Sequence, residues 1–161
     1  MKRTIAALAL TAAFTVSATA QQYASSDGYR VCAPSATEQG ITVAAEQCGT
    51  VKAPNFSSAS ISSEGQLMSM IEQRDAFRTD VKAYGQCITQ LINSYRRPGA
   101  PADSLVPDQA ACAHSWAEDQ STKVVRDLGK ACIDYSNRSV MDADLKPYTG
   151  ACYPSAGTGQ G

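Results

Sequence analysis

Apolar positions along this chain fall into two kinds of pattern. Ile5 to Val16 is an unbroken run of apolar or small residues, behind Lys2-Arg3 and ahead of Ala18-Thr19-Ala20. A run of about a dozen residues is short of the roughly 20 that a bilayer span needs. A basic start and a small-x-small end are the marks of a secretory signal. Residues 1–20 therefore read as an address, with cleavage expected before Gln21.

The second pattern has helical period. Leu67, Met70, Arg74, Phe77, Val81, Tyr84, Ile88, Leu91 and Tyr95 alternate by three and four, which keeps them on one stripe with Arg74 the single polar member. Ser63-Glu64-Gly65-Gln66 has the form of a capping box at the start. Arg96-Arg97 suit the negative end of the helix dipole, and Pro98-Gly99 stop the helix. A second stripe, Ala113, Ala117, Ser121, Val124, Leu128, Ala131 and Tyr135, predicts another long helix, with Ser104 as its N-cap and Pro107 in its first turn. Asp119, Lys123 and Asp127, and likewise Arg126, Lys130 and Asp134, stand four apart and belong on the solvent side, with Asp119 expected to pair with Lys123. The short connection predicts a long antiparallel helical hairpin over 64–138, each arm about 50 Å long.

The flanks differ. Residues 21–63 are short of large aliphatics and read as an irregular, Cys-containing segment, with Tyr29-Arg30-Val31 and Ile41-Thr42-Val43 as short strands and Ala53 to Ser63 as a Pro- and Ser-rich connector. Residues 139–161 read as a C-terminal strap ending in a mobile Gly-rich tail. The fold class expected is mainly α: a helical hairpin with irregular, disulfide-stapled N- and C-terminal segments.

Composition narrows the chemistry. The 161 residues carry 14 Lys plus Arg, 15 Asp plus Glu, one His and six Cys. That length suits one small domain. Net charge is −1, or −3 once residues 1–20 are removed, with no block of like charges, so nucleic acid is a poor partner. An even cysteine count in an exported chain points to disulfides. No CxxC or CxxCH occurs, so redox pairs, paired-ligand zinc knuckles and covalent haem lack their signatures. Folding the chain about residue 100 brings Cys87 level with Cys112, which makes Cys87–Cys112 the expected central clip. Cys32–Cys48 and Cys132–Cys152 are then the nearest remaining pairs, with Cys32–Cys152 and Cys48–Cys132 as the crossed alternative.

Catalytic candidates are sparse. His114 is the only imidazole and has no GxSxG or SxxK beside it. Glu118-Asp119 and Asp142-Ala143-Asp144 are the closest carboxylates, but neighbours on a helix diverge, and the second set lacks the Gly and distal Glu of a calcium loop. Met68-Ser69-Met70 is a thin copper(I) motif, and Met70 belongs to the packed stripe. Asn55-Phe56-Ser57 and Asn137-Arg138-Ser139 fit the glycosylation pattern, relevant in a eukaryotic host. Gly85, inside the first long helix, reads as permitting close approach of the second. No catalytic, cofactor or metal residue is assigned.

Val81-Lys-Ala-Tyr84-Gly-Gln-Cys87 followed by a second helix resembles short exported proteobacterial helical-hairpin proteins of unassigned activity. The resemblance covers the hairpin alone. It implies export and helices and carries no catalytic residue over. The expected function is a non-enzymatic structural or partner-binding protein of the bacterial cell envelope, periplasmic or extracellular. It would bind a protein partner or self-associate through the turn Pro98 to Asp108, with Tyr95, Arg96 and Arg97 at its edge as the candidate contact surface. The rival is a small secreted inhibitor or hydrolase presenting the Ala33–Gln47 loop clipped by Cys32–Cys48.

Overall fold

The computed structural model describes residues 32–56 and 60–154. They form α1 (Pro34–Cys48), α2 (Glu64–Ser94) and α3 (Val106–Met141), and no strand occurs among them. Residues 1–20, read as a signal, the cleavage position expected before Gln21, Tyr29-Arg30-Val31 and the tail from residue 155 lie outside the described residues.

In α2 the predicted stripe turns inward. Leu67, Met70, Arg74, Phe77, Val81, Tyr84 and Ile88 are buried, while Leu91 and Tyr95 at its far end are half-buried. Ser63 caps the helix by accepting from the Gln66 backbone N–H at 3.2 Å. The Gln66 side chain reaches past the expected box residue and accepts from the Ser62 N–H at 2.9 Å instead. The helix ends at Tyr95, and Gly99 turns the chain with φ +89, a left-handed conformation open mainly to glycine.

Along α3 the buried face is Ala110, Ala113, Ala117, Val124, Leu128, Cys132 and Tyr135. Its N-cap is Leu105 rather than Ser104, although the Ser104 hydroxyl accepts from the Val106 N–H at 3.3 Å. Lys123 pairs with Asp127 at 2.9 Å, not with Asp119, and Asp134 pairs with Arg138 at 3.2 Å. The start of α2 lies beside the end of α3: Arg138 donates to the Ile61 carbonyl at 2.7 Å. Nearer the connection between the two helices, Gly85 faces the His114 ring so closely that an added Cβ would stand 2.3 Å from Nε2.

The N-terminal flank departs most from expectation. Ile41-Thr42-Val43, read as a strand, lies inside α1, and the Ala33–Gln47 loop does not exist as a loop. Pro34 sits in the first turn, where its missing N–H costs nothing. The helix is held by an unusually close seam: a Cβ on Gly40 would lie 1.9 Å from the Gln109 carbonyl oxygen. Gly40 and Ala44 on α1 meet a face of α3 where Ala110, Ala113 and Ala117 are also buried. Small residues there let backbone approach backbone, so a segment poor in large aliphatics still packs. The connector also contributes, since Phe56 and Ile61 are buried in the common core.

Cysteine pairing is corrected accordingly. Cys32 bonds to Cys112 and Cys48 to Cys87, while Cys132 bonds to Cys152. Neither the Cys87–Cys112 clip nor the Cys32–Cys48 loop closure forms, and the crossed alternative is absent as well. The reason is α1. Its 15 residues extend about 21 Å. Cys32 and Cys48, at its two ends, approach their partners to Cα distances of 5.6 and 5.7 Å. Cys87 and Cys112 therefore stand about 10 Å or more apart, beyond the reach of about 7 Å that a disulfide allows.

After α3 the strap 142–154 folds back over the helices. Tyr135, fully buried, donates its hydroxyl to the Lys146 carbonyl at 2.8 Å, and Tyr153 lies over Gly129. Arg74, the polar member of the α2 stripe, is 3% exposed and donates to the Cys152 carbonyl at 3.1 Å.

Two glycines test the seam. Gly40→Ala should lower unfolding free energy by about 2–3 kcal/mol, because backbone cannot yield as a side chain can. Gly65→Ala, where nothing lies within 4 Å, should raise it by about 0.5 kcal/mol. Urea titration of both variants measures the contrast. Peptide mapping of the unreduced protein checks the pairing. Trypsin should leave 31–52 joined to both 83–96 and 97–123, whereas the rejected pairing leaves 31–52 bridged only within itself.

Candidate functional site

Two concavities lie among the described residues on faces where the sequence placed candidates. The first is an open groove of about 560 Å³ between α2 and α3, lined by Arg78, Lys82, Gln86, His114, Glu118 and Ser121 among others. Gly85 makes it possible, since any side chain there would displace the imidazole.

The chemistry of this groove is limited by spacing. His114 Nε2 lies 3.7 Å from Glu118 Oε1, longer than the roughly 3.2 Å at which a carboxylate orients a catalytic base. Ser121 is two turns further along the same helix, a rise of about 10 Å. Thr89, on the opposite wall, commits its hydroxyl to the Gly85 carbonyl at 2.9 Å. Nucleophile, base and orienting acid are not brought together. Tyr84 is buried nearby in α2, and burial pushes its phenol above its ordinary value. Among the described residues no three His, Cys, Asp or Glu side chains cluster so as to hold a metal ion.

The remaining carboxylate and sulfur candidates also stay apart. Asp142 Oδ1 accepts from the Asp144 N–H at 3.0 Å, a local turn after α3. Met70 is buried in the stripe while Met68 is 43% exposed, so the two thioethers do not converge.

The second concavity sits where α2 ends and α3 begins. It is a cleft of about 510 Å³ whose lining includes Val43, Glu46, Leu91, Tyr95, Pro101 and Val106. Tyr95, the residue closing α2, is half-buried and forms part of one wall. Arg96 and Arg97 follow it directly and are exposed. The Arg96 guanidinium lies 3.5 Å from Asn93 Oδ1, and the Arg97 carbonyl accepts from the Ala100 N–H, which closes the turn. The α1 wall was not anticipated. The signal for it was the Gly40-x-x-x-Ala44 spacing behind Pro34, read as irregular chain because Ile41-Thr42-Val43 is β-branched.

Three charge pairs brace the frame. Arg74 grips Asp75 through Nε at 2.9 Å and Nη2 at 3.1 Å. The hydrogen bonds from Arg74 hold the Asp75 carboxyl below its ordinary value despite some burial. Asp127 is lowered by the hydrogen bond from Lys123, and Lys146 is raised by its bond to Glu64. No family model, curated protein or solved structure matches this chain.

The pH dependence follows from Asp75. A carboxyl with a depressed folded-state value adds stability that is complete above about 3.9, its unfolded value, and is lost as pH falls through the lower folded one. Asp75→Asn should therefore flatten the acid limb of a thermal-midpoint profile taken between about pH 2 and 5. It should also lower the midpoint at pH 7, because the Arg74 guanidinium then stays buried without a counter-charge.

Proposed function

We propose that the protein is a non-enzymatic, partner-binding scaffold of the bacterial cell envelope, exported and oxidised there, whose contact surface is the tip formed by Tyr95, Arg96 and Arg97. In this reading α2 and α3 form an antiparallel helical hairpin and α1 braces its tip. The observation that carries the reading is the cleft beside Tyr95: an aromatic wall with apolar neighbours, followed directly in the chain by two exposed arginines. Tyrosine and arginine are the residue types that most often anchor protein interfaces.

Export is supported by the disulfides, which need an oxidising compartment, and no helix among the described residues is long and apolar enough to cross a membrane. The rival inhibitor reading loses its presenting element, since Ala33–Gln47 is helical and Cys32 is not joined to Cys48. A hydrolase reading would need a reacting pair at His114, and the nearest carboxylate stands 3.7 Å away with no nucleophile in reach.

Arg96→Glu combined with Arg97→Glu tests the surface. Both residues are exposed, so far-UV circular dichroism and the thermal midpoint should stay near wild type. Capture of partners from envelope extracts should fall by about tenfold or more, as expected for loss of interface arginines. Undiminished capture would remove the tip from the account.

A further inference from the structure

The tip presents a projection as well as a recess. Leu105, immediately before the lining residue Val106, is 66% exposed. The recess beside it is lined by the apolar Val43, Leu91, Ala100, Pro101 and Val106 together with the polar Glu46, Gln47 and Ser94. Charge is divided in the same way. Glu46, exposed in the α1 wall, has no ion-pair partner among the described residues, and neither do Arg96 and Arg97 beyond the α2 wall.

A two-fold interface requires one patch to carry both halves of every contact. This patch offers both: the exposed Leu105 is the chain neighbour of the lining residue Val106, the carboxylate of Glu46 belongs to the α1 wall, and the two cations directly follow the lining residue Tyr95. A foreign partner would have to supply an apolar anchor together with both charge signs, whereas another copy already has them in the right chemistry.

We propose that the occupant of the tip cleft is a second copy of this chain. The two are docked tip to tip about a two-fold axis, with Leu105 of each entering the other's cleft and Arg96 and Arg97 facing the other copy's Glu46. This rests on the reading of the tip as the contact surface and names what fills it. An acidic-apolar peptide is the competing occupant, and a lipid surface is disfavoured by Glu46 and Asp103 at the same tip.

Sedimentation velocity of the oxidised protein, from micromolar to millimolar concentration, is the test. Wild type should form a concentration-dependent dimer. Leu105→Asp should raise the dissociation constant about tenfold or more. The doubly substituted Arg96→Glu, Arg97→Glu chain and the Glu46→Arg chain should each be monomeric alone, since each places like charges face to face. Mixed in equal amounts they should dimerise with each other, because every facing pair then joins opposite charges. A wild type that stays monomeric overturns the inference, as does a dimer indifferent to Leu105→Asp or variants that fail to rescue each other. If wild type is monomeric yet the double arginine variant loses envelope capture, self-docking fails and the contact-surface reading stands. If dimer-deficient variants still capture envelope proteins, self-docking stands and the tip is cleared of foreign partners.

Discussion

The backbone-to-backbone approach at Gly40 governs how the three helices sit. A side chain there would collide with the Gln109 carbonyl, so only glycine allows α1 to settle onto α3 at this depth. Once it does, Gln109 Nε2 donates to Gln39 Oε1 at 2.7 Å, and Ala44 disappears from solvent. Val43 and Glu46 are carried to the end of α2, where they complete the cleft beside Tyr95. Small residues lose little side-chain entropy on packing. They also bury little apolar area, so a seam of this kind gains dispersion contacts but limited hydrophobic stabilisation. Covalent ties at both ends of α1 compensate. In the loop-entropy model the three bridges, spanning 80, 39 and 20 residues, are each worth about 3–5 kcal/mol.

The opposite end relies on a polar contact buried among apolar ones. Arg74 looks like an error in the α2 stripe when read as pattern. In the structure its charge is neutralised by the adjacent Asp75, leaving one guanidinium nitrogen to hold the strap through the Cys152 carbonyl. A buried cation without that neighbour would carry a large desolvation penalty. The same strap is bonded through Cys132 and tied by the Tyr135 and Ser136 hydroxyls, so its place does not depend on Arg74 alone.

Long amphipathic segments were legible from the residues alone. The α2 stripe and its Ser63 cap follow from period and punctuation, although the helix stops at Tyr95, ahead of Pro98, and the α3 stripe follows even though four of its seven members are alanine or serine. α1 was not legible. Its packing face is glycine and alanine, which register weakly on any hydrophobic periodicity, and Ile41-Thr42-Val43 mimics a strand. Everything misjudged about the cysteines descends from that omission, because nearest-neighbour pairing assumes that nothing rigid separates Cys32 from Cys48. The candidate cleft was legible in half: Tyr95 comes from the end of α2, while the facing wall belongs to the helix that went unread.

The bridges Cys32–Cys112 and Cys48–Cys87 are nested, one loop inside the other. A chain that meets an oxidant from its N-terminus onward exposes Cys32 and Cys48 first, long before either has its proper mate. An oxidase joining thiols in order of appearance would close 32 to 48 and then 87 to 112, trapping α1 as a hoop that cannot straighten. From that state the native pairing is reached only by thiol–disulfide exchange, whereas an α1 that coils first holds its two thiols apart until the later helices arrive.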